Sequence, residues 1–129
     1  MLSFQTAPLA LPARQCAHLD ALPAALDAMD TPAVLALLTE DCFFQAGNAP
    51  PATGKEQIGN GLDAFFRSVK AIRHQLDDRF EAGGTAVYRG QVTYTRHNGS
   101  TLTVPVFDVF KLEGDKIKEY YIYIDWSAL

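Results

Sequence analysis

The chain of 129 residues fits one domain, long enough to bury roughly two thirds of the surface its unfolded form would expose. Its 48% hydrophobic, 20% charged and 11% aromatic residues exclude a disordered, collagenous or disulfide-dense chain. The net charge of −4, with Lys and Arg scattered singly, leaves no footprint for a nucleic-acid backbone. Cys16 and Cys42 lack the spacing of a metal knuckle or redox pair and are expected to be buried thiols of a cytoplasmic protein. The apolar run Ala7 to Ala13 is broken by Pro8 and Pro12 and has no basic segment before it, so neither an export signal nor a membrane span is expected.

Residues 1–14 read as an irregular, Pro-punctuated segment and residues 15–129 as the single domain. Leu19, Leu22, Leu26 and Met29 recur at intervals of three and four, a helical face over about Arg14 to Met29. Pro23 either kinks that helix or marks the first turn of one capped by Asp20. Asp30-Thr31-Pro32 restarts a short helix over Pro32 to Leu38, with a side-chain cap and a proline where no amide donor is needed. Cys42 to Ala46 is a strand and Gly47 to Ala52 a loop. Thr53 and Glu56 form a capping box for a third helix over about Gly54 to Val69, in which Gly59 and Gly61 point to close packing against a neighbour.

After Lys70 the period changes to two. Ile72, His74, Leu76, Asp78 and Phe80 are expected on one face, Gly83-Gly84 turns the chain, and Tyr88, Gly90, Val92 and Tyr94 share a face of the next strand. His97 to Ser100 is a hairpin turn, and strands over Thr101 to Leu112 and Ile117 to Trp126 are joined at Glu113-Gly114-Asp115. Helices first and a strand meander afterwards specify an α+β domain whose curved, mixed or antiparallel sheet wraps around the three helices.

No phosphate loop, dinucleotide fingerprint or nucleophile elbow is present, so function rests on a pocket. Asp108 shares a face with Val104, Val106 and Phe110. It is either a desolvated proton donor with a raised pKa or a structural hydrogen-bonding residue. His74, among Ile72 and Leu76, is either a base or a satisfied core histidine. Tyr88, Tyr94, Tyr120, Ile122, Phe110 and Phe44 are expected to wall the same space, with Asp78 at its rim. His18, His74 and His97 are too dispersed for a metal site, and no metal or organic cofactor is expected. Phe107, Val109, Tyr121 and Tyr123 form a stripe on the opposite face, which predicts a homodimer through the sheet.

The order of elements, with Leu37-Leu38-Thr39-Glu40-Asp41, the segment His74 to Phe80, Val92 to Arg96 and Tyr121 to Asp125, resembles the nuclear transport factor 2-like superfamily, nearest its SnoaL-like branch. The resemblance implies a cone with an apolar interior that binds a small molecule. Against ketosteroid isomerase, Asp108-Val109-Phe110 matches the segment whose protonated Asp donates to the substrate oxygen, while the general base falls on Ala46 and the oxyanion tyrosine on Leu22. Against limonene epoxide hydrolase, the catalytic Arg and Asp fall near Gln91 and Thr93 and the last Asp on Ile122, so that triad is absent. Two readings follow: a cofactor-independent proton-transfer enzyme (isomerase, cyclase, dehydratase or hydrolase) using Asp108 and His74, or a non-catalytic binding module of the same fold.

Overall fold

The computed structural model describes residues 19–129; the expected irregular segment, Cys16 and His18 lie outside the described residues. Helix α1 spans Ala21–Asp27, which puts Pro23 in its first turn, where its missing amide costs nothing. Asp20 precedes the helix without capping it and instead pairs with Arg79 at 2.9 Å. The helix ends in a Schellman motif: Met29 adopts φ 52°, its amide bonds the Leu26 carbonyl, and the Asp30 amide bonds that of Ala25. Helix α2, Thr31–Leu35, starts with the Asp30 carboxylate accepting the Ala33 amide at 3.1 Å. It stops short of the expected Leu38, because the Leu37 carbonyl accepts the Ile117 amide and Leu38 already begins a strand.

The strands are β1 Leu38–Ala46, β2 Ala52–Thr53, β3 Ala71–Ala82, β4 Thr85–Thr95, β5 Thr101–Glu113 and β6 Lys116–Ile124; helix α3, Lys55–Ser68, lies between β2 and β3. They form one curved, unclosed sheet in the order β2-β1-β6-β5-β4-β3. Only β1 and β6 run parallel, so the sheet is mixed. The helices cover its concave face, burying Leu22, Leu26, Val34, Ile58, Leu62 and Phe66 against Val92, Phe110 and Tyr120. No described helix is long and apolar enough to cross a membrane.

Three local expectations are corrected. The capping box does not form, because Thr53 pairs with Phe43 as part of β2; the cap is Gly54 at φ 85°, and Gln57 rather than Glu56 reaches back to accept the Thr53 amide at 3.0 Å. Of the two helix glycines, only Gly59 is tightly packed: a Cβ there would stand 3.1 Å from Leu35, whereas one at Gly61 meets nothing within 4 Å. The last strand stops at Ile124, so Trp126 leaves the sheet. Its partner β5 tolerates Pro105 in mid-strand because pairing with β6 ends one residue on, at Val106–Ile124.

The largest correction lies in β3. A bulge at Asp77 puts one extra residue between the pairs Leu76–Gly90 and Asp78–Arg89. The strand's alternation therefore flips. Ile72, His74 and Leu76 face the helices as expected, but Asp78 and Phe80 point outward and Glu81 is buried in their place. The bulge requires Gly90, since a Cβ there would lie 2.0 Å from the Gln75 carbonyl oxygen. Replacing Gly90 with Ala should thus lower the unfolding free energy by at least about 2 kcal/mol, whereas Gly61→Ala should raise it by up to about 1 kcal/mol. Denaturant midpoints of the two variants check both signs.

Candidate functional site

Between α3 and the concave face lies a cavity of about 240 Å³. This is just below the roughly 300–1,000 Å³ of drug-sized sites and suits a small ligand. Ile58, Leu62, Phe65 and Phe66 of α3 form its roof, and the chain between β1 and β2 adds Ala49 and Pro50. From the sheet come Phe44, Ile72, His74, Val92, Tyr94, Val106, Asp108, Tyr120, Ile122 and Ile124, followed by Trp126. Neither Lys nor Arg is among the described lining residues.

The structure thus brings His74, Asp108, Tyr94, Tyr120, Ile122 and Phe44 to one cavity. Three expected wall residues are elsewhere. Tyr88 and Phe110 lie beneath the lining as core, their rings 4.9 Å apart, and Phe110 stacks onto Tyr120 at the same distance. Asp78 is carried to the outer face by the bulge and forms an exposed pair with Arg89 at 2.6 Å.

Asp108 lines the cavity from β5 and is 3% exposed. Val106 and Phe110 on the same face of β5 and the cavity's apolar walls leave its Oδ1 without a hydrogen-bond partner among the described residues. Burial pushes this carboxyl from an ordinary 3.8 up to about 8, so at neutral pH it is predominantly the protonated acid. Tyr120, anchored edge-on by Phe44 at 5.1 Å, also holds a buried hydroxyl with no partner among the described residues. Burial, reinforced by the Asp108 carboxyl, drives its pKa well above the ordinary tyrosine value. Tyr94 differs in that its oxygen accepts the Trp126 Nε1 proton at 2.8 Å; burial still pushes its pKa to about 12. Cys42, buried in β1, is pushed up by burial to about 11 and is an unreactive thiol.

His74 has a partner that pattern reading missed. Its Nδ1 donates to the Asp27 carboxylate at 2.6 Å, and the same carboxylate accepts the His74 backbone amide at 3.0 and 3.1 Å. Asp27 is the last residue of α1, where the helix dipole disfavours a negative charge. That misplaced acid is the signal by which the sequence marked it. With Nδ1–H committed to the carboxylate, Nε2 carries the lone pair and has no partner among the described residues. The imidazole is thereby held in the tautomer of a base.

His74 and Asp108 stand apart on the floor. The register runs His74–Val92 and Tyr88–Asp108, two strands across and four residues along β4, or roughly 16 Å between Cα atoms if the sheet were flat. Curvature shortens this. Trp126 stacks on Phe65 at 4.9 Å beside the cavity, and Arg96 secures the chain beyond it by donating to the Ala128 carbonyl at 2.7 Å. Among the described residues no three His, Cys, Asp or Glu side chains gather as a metal site.

No curated protein matches the chain in sequence. Among solved structures, a hypothetical protein with a ketosteroid isomerase-like fold from Catenulispora acidiphila, in complex with trimethylamine, superposes with a TM-score of 0.81 at 16% identity over 88% of this chain and 89% of that one. An epoxide hydrolase of limonene epoxide hydrolase type from M. tuberculosis gives 0.73 at 17% identity, covering 84% and 80%. A protein classed as a SnoaL-like polyketide cyclase from Shewanella putrefaciens gives 0.70 at 19%, covering 82% and 85%. At these identities the likeness is one of fold. The SnoaL-like domain family itself matches residues 19–120, and with the six-stranded cone and three helices in place the chain belongs to the SnoaL-like family of the nuclear transport factor 2-like fold.

Proposed function

We propose that this SnoaL-like domain is a cofactor-independent proton-transfer enzyme acting on a small, largely apolar substrate, in the class of isomerases, cyclases, dehydratases and hydrolases. The observation that carries the reading is that one cavity is lined by both a carboxylate-oriented imidazole, His74 with Asp27, and a buried neutral carboxyl, Asp108. His74 Nε2 takes a proton from a substrate carbon, and the released electron pair moves onto a conjugated oxygen. Asp108 supplies that oxygen with a hydrogen bond or a proton. Asp27 is a positioning residue: it fixes the tautomer and stabilises the imidazolium that forms.

Solvent deuterium exchange into a small cyclic enone, followed by NMR, tests this without knowledge of the natural substrate. The protein should accelerate exchange, and His74→Ala, Asp27→Asn and Asp108→Asn should each reduce it by about 10²-fold or more while remaining folded. Exchange should also fall as pH rises through about 8, where Asp108 loses its proton, and this limb should vanish in Asp108→Asn. Exchange no faster than in buffer would leave the binding-module reading instead.

The acid role has a thermodynamic signature as well. Because the folded-state pKa of Asp108 is raised, its contribution to stability is complete below about pH 4 and is lost as pH climbs toward about 8. Between those limits the wild type should lose about 1.4 kcal/mol of stability per pH unit relative to Asp108→Asn. Parallel stability curves for the two proteins would remove the acid.

We propose, too, that two copies pair through the outer face of the sheet. Phe107 and Tyr123, directly opposite each other on β5 and β6, are 41% and 59% exposed, and the β3 bulge adds Phe80 at 44%. Such a surface is costly to leave in water. Val109→Asp should turn a dimer into a monomer, because an unpaired charge in an apolar interface is expensive. Light scattering that finds the unmodified protein monomeric at micromolar concentration would overturn the pairing.

A further inference from the structure

We propose that the cavity opens to solvent through a slot along one flank of α3, and that Gly61, at the middle of that slot, is the residue that sets how large an apolar ligand the protein accepts. The gap left by its missing side chain admits uncharged molecules longer than the cavity, with one end enclosed and the rest lying across Gly61. Such a slot would serve an enzyme and a binding module alike, so it stands apart from the proton-transfer reading.

The two flanks of α3 differ. Ile58, Leu62 and Phe66 form its buried stripe. On one side of that stripe Gly59 is pressed against Leu35, and Asp63 accepts the Thr31 hydroxyl at 2.5 Å, so α2 covers that flank. On the other side Gln57, Gly61 and Phe65 follow one another at single turns and all line the cavity. Gln57 and Gly61 are nevertheless exposed, and Phe65 is half-buried. Ala49 and Pro50, between β1 and β2, combine cavity lining with exposure in the same way. A cavity meets solvent where its lining residues do.

A contact closes each end of this flank. At one end the Gln57 side chain accepts the Thr53 amide at 3.0 Å. At the other, Phe65 stacks on Trp126 at 4.9 Å, and Trp126 is itself fixed by donating to the Tyr94 oxygen. From Gln57 to Phe65 the helix rises about 12 Å. Gly61 stands midway, one turn from either closed end.

Neither conformation nor packing asks for this glycine. It lies inside the helix without a positive φ, and among the described residues a Cβ on it would meet nothing within 4 Å. Glycine is the poorest helix former after proline, so any ordinary residue would favour α3 more. Leu35 accounts for Gly59; the opening accounts for Gly61. A larger side chain at this position would project into the slot.

Two uncharged probes of different size test the assignment. At the packing density of protein interiors toluene needs roughly 130 Å³ and N-phenyl-1-naphthylamine roughly 280 Å³. The cavity of about 240 Å³ encloses the first, but the second must extend into the slot. Trp126, the single tryptophan of the chain, reports binding of N-phenyl-1-naphthylamine by energy transfer, and calorimetry reports toluene. Gly61→Leu should raise the Kd for N-phenyl-1-naphthylamine about tenfold or more and leave that for toluene within about twofold. The variant should melt no lower than the wild type, because leucine favours the helix. Ala64→Leu, also on α3 and exposed but outside the cavity lining, should leave both constants unchanged. An unchanged Kd for N-phenyl-1-naphthylamine in Gly61→Leu would overturn the proposal, as would an equal loss for both probes or a wild type that does not bind the larger one. Size selection by Gly61 in a protein that exchanges no substrate protons would sink the enzyme reading and leave the slot in place; proton exchange with probe binding indifferent to Gly61→Leu would do the opposite.

Discussion

One carboxylate joins the helical layer to the open edge of the sheet. β3 is the outermost strand of a twelve-residue edge, and its amides on that side have no strand to bond. Asp27, projecting from the end of α1, accepts the His74 amide and the His74 ring nitrogen at once. The same contact that closes a gap in backbone hydrogen bonding also sets the orientation of the imidazole. It depends on how α1 ends: Met29 takes a left-handed conformation that costs a non-glycine residue about 1–2 kcal/mol, and the chain accepts this so that α1 stops with Asp27 against the edge. Local strain, an acid at the unfavourable end of a helix and a lined cavity coincide at one place.

The second constraint is the burial of Asp108. An aspartate in the middle of β5 with apolar residues on both sides contributes nothing to packing that valine would not improve. Its carboxyl stays neutral at a cost to stability that grows with pH, and its Oδ1 has no hydrogen-bond partner among the described residues. Residues that break the local rules of folding are where function is expected, and Asp108 breaks them more plainly than any other described residue of the sheet. Tyr120 repeats the pattern one diagonal away.

Much of this was legible in the sequence because it rests on alternation and short-range turn chemistry. The inward faces of β4 and β5, including Asp108, follow from period two, and Gly83-Gly84, at φ 61° and 78°, is the tight hairpin its composition suggests. What failed depended on pairing between distant segments. The bulge at Asp77 is set by the register of β3 on β4 and by the close approach at Gly90, so strict alternation puts Asp78 and Phe80 on the wrong face. The capping box at Thr53 was lost to pairing with Phe43, ten residues away. Asp27 meets a partner 47 residues on, and no window along the chain spans both. Alternation puts Tyr88 and Phe110 on the inward face, where they lie, but depth within that face depends on where α3 sits, and they are core beneath the lining rather than wall.

The separation of the acid from the base bears on which reactions suit the site. In the proposed chemistry, removal of a proton by His74 and donation of one by Asp108 would leave the protein with an imidazolium and a buried carboxylate. They lie two strands across and four residues along the sheet from each other. In an isomerisation the imbalance corrects itself, since His74 returns its proton to another carbon of the same molecule while the substrate oxygen gives back the one it borrowed from Asp108. In a dehydration, Asp108's proton departs with the leaving hydroxyl as water, and His74 retains the other. The carboxylate must then be reprotonated inside apolar walls before the next turnover. A site with two distant groups, one of them strongly averse to charge, therefore favours reactions in which both protons come home within a single encounter.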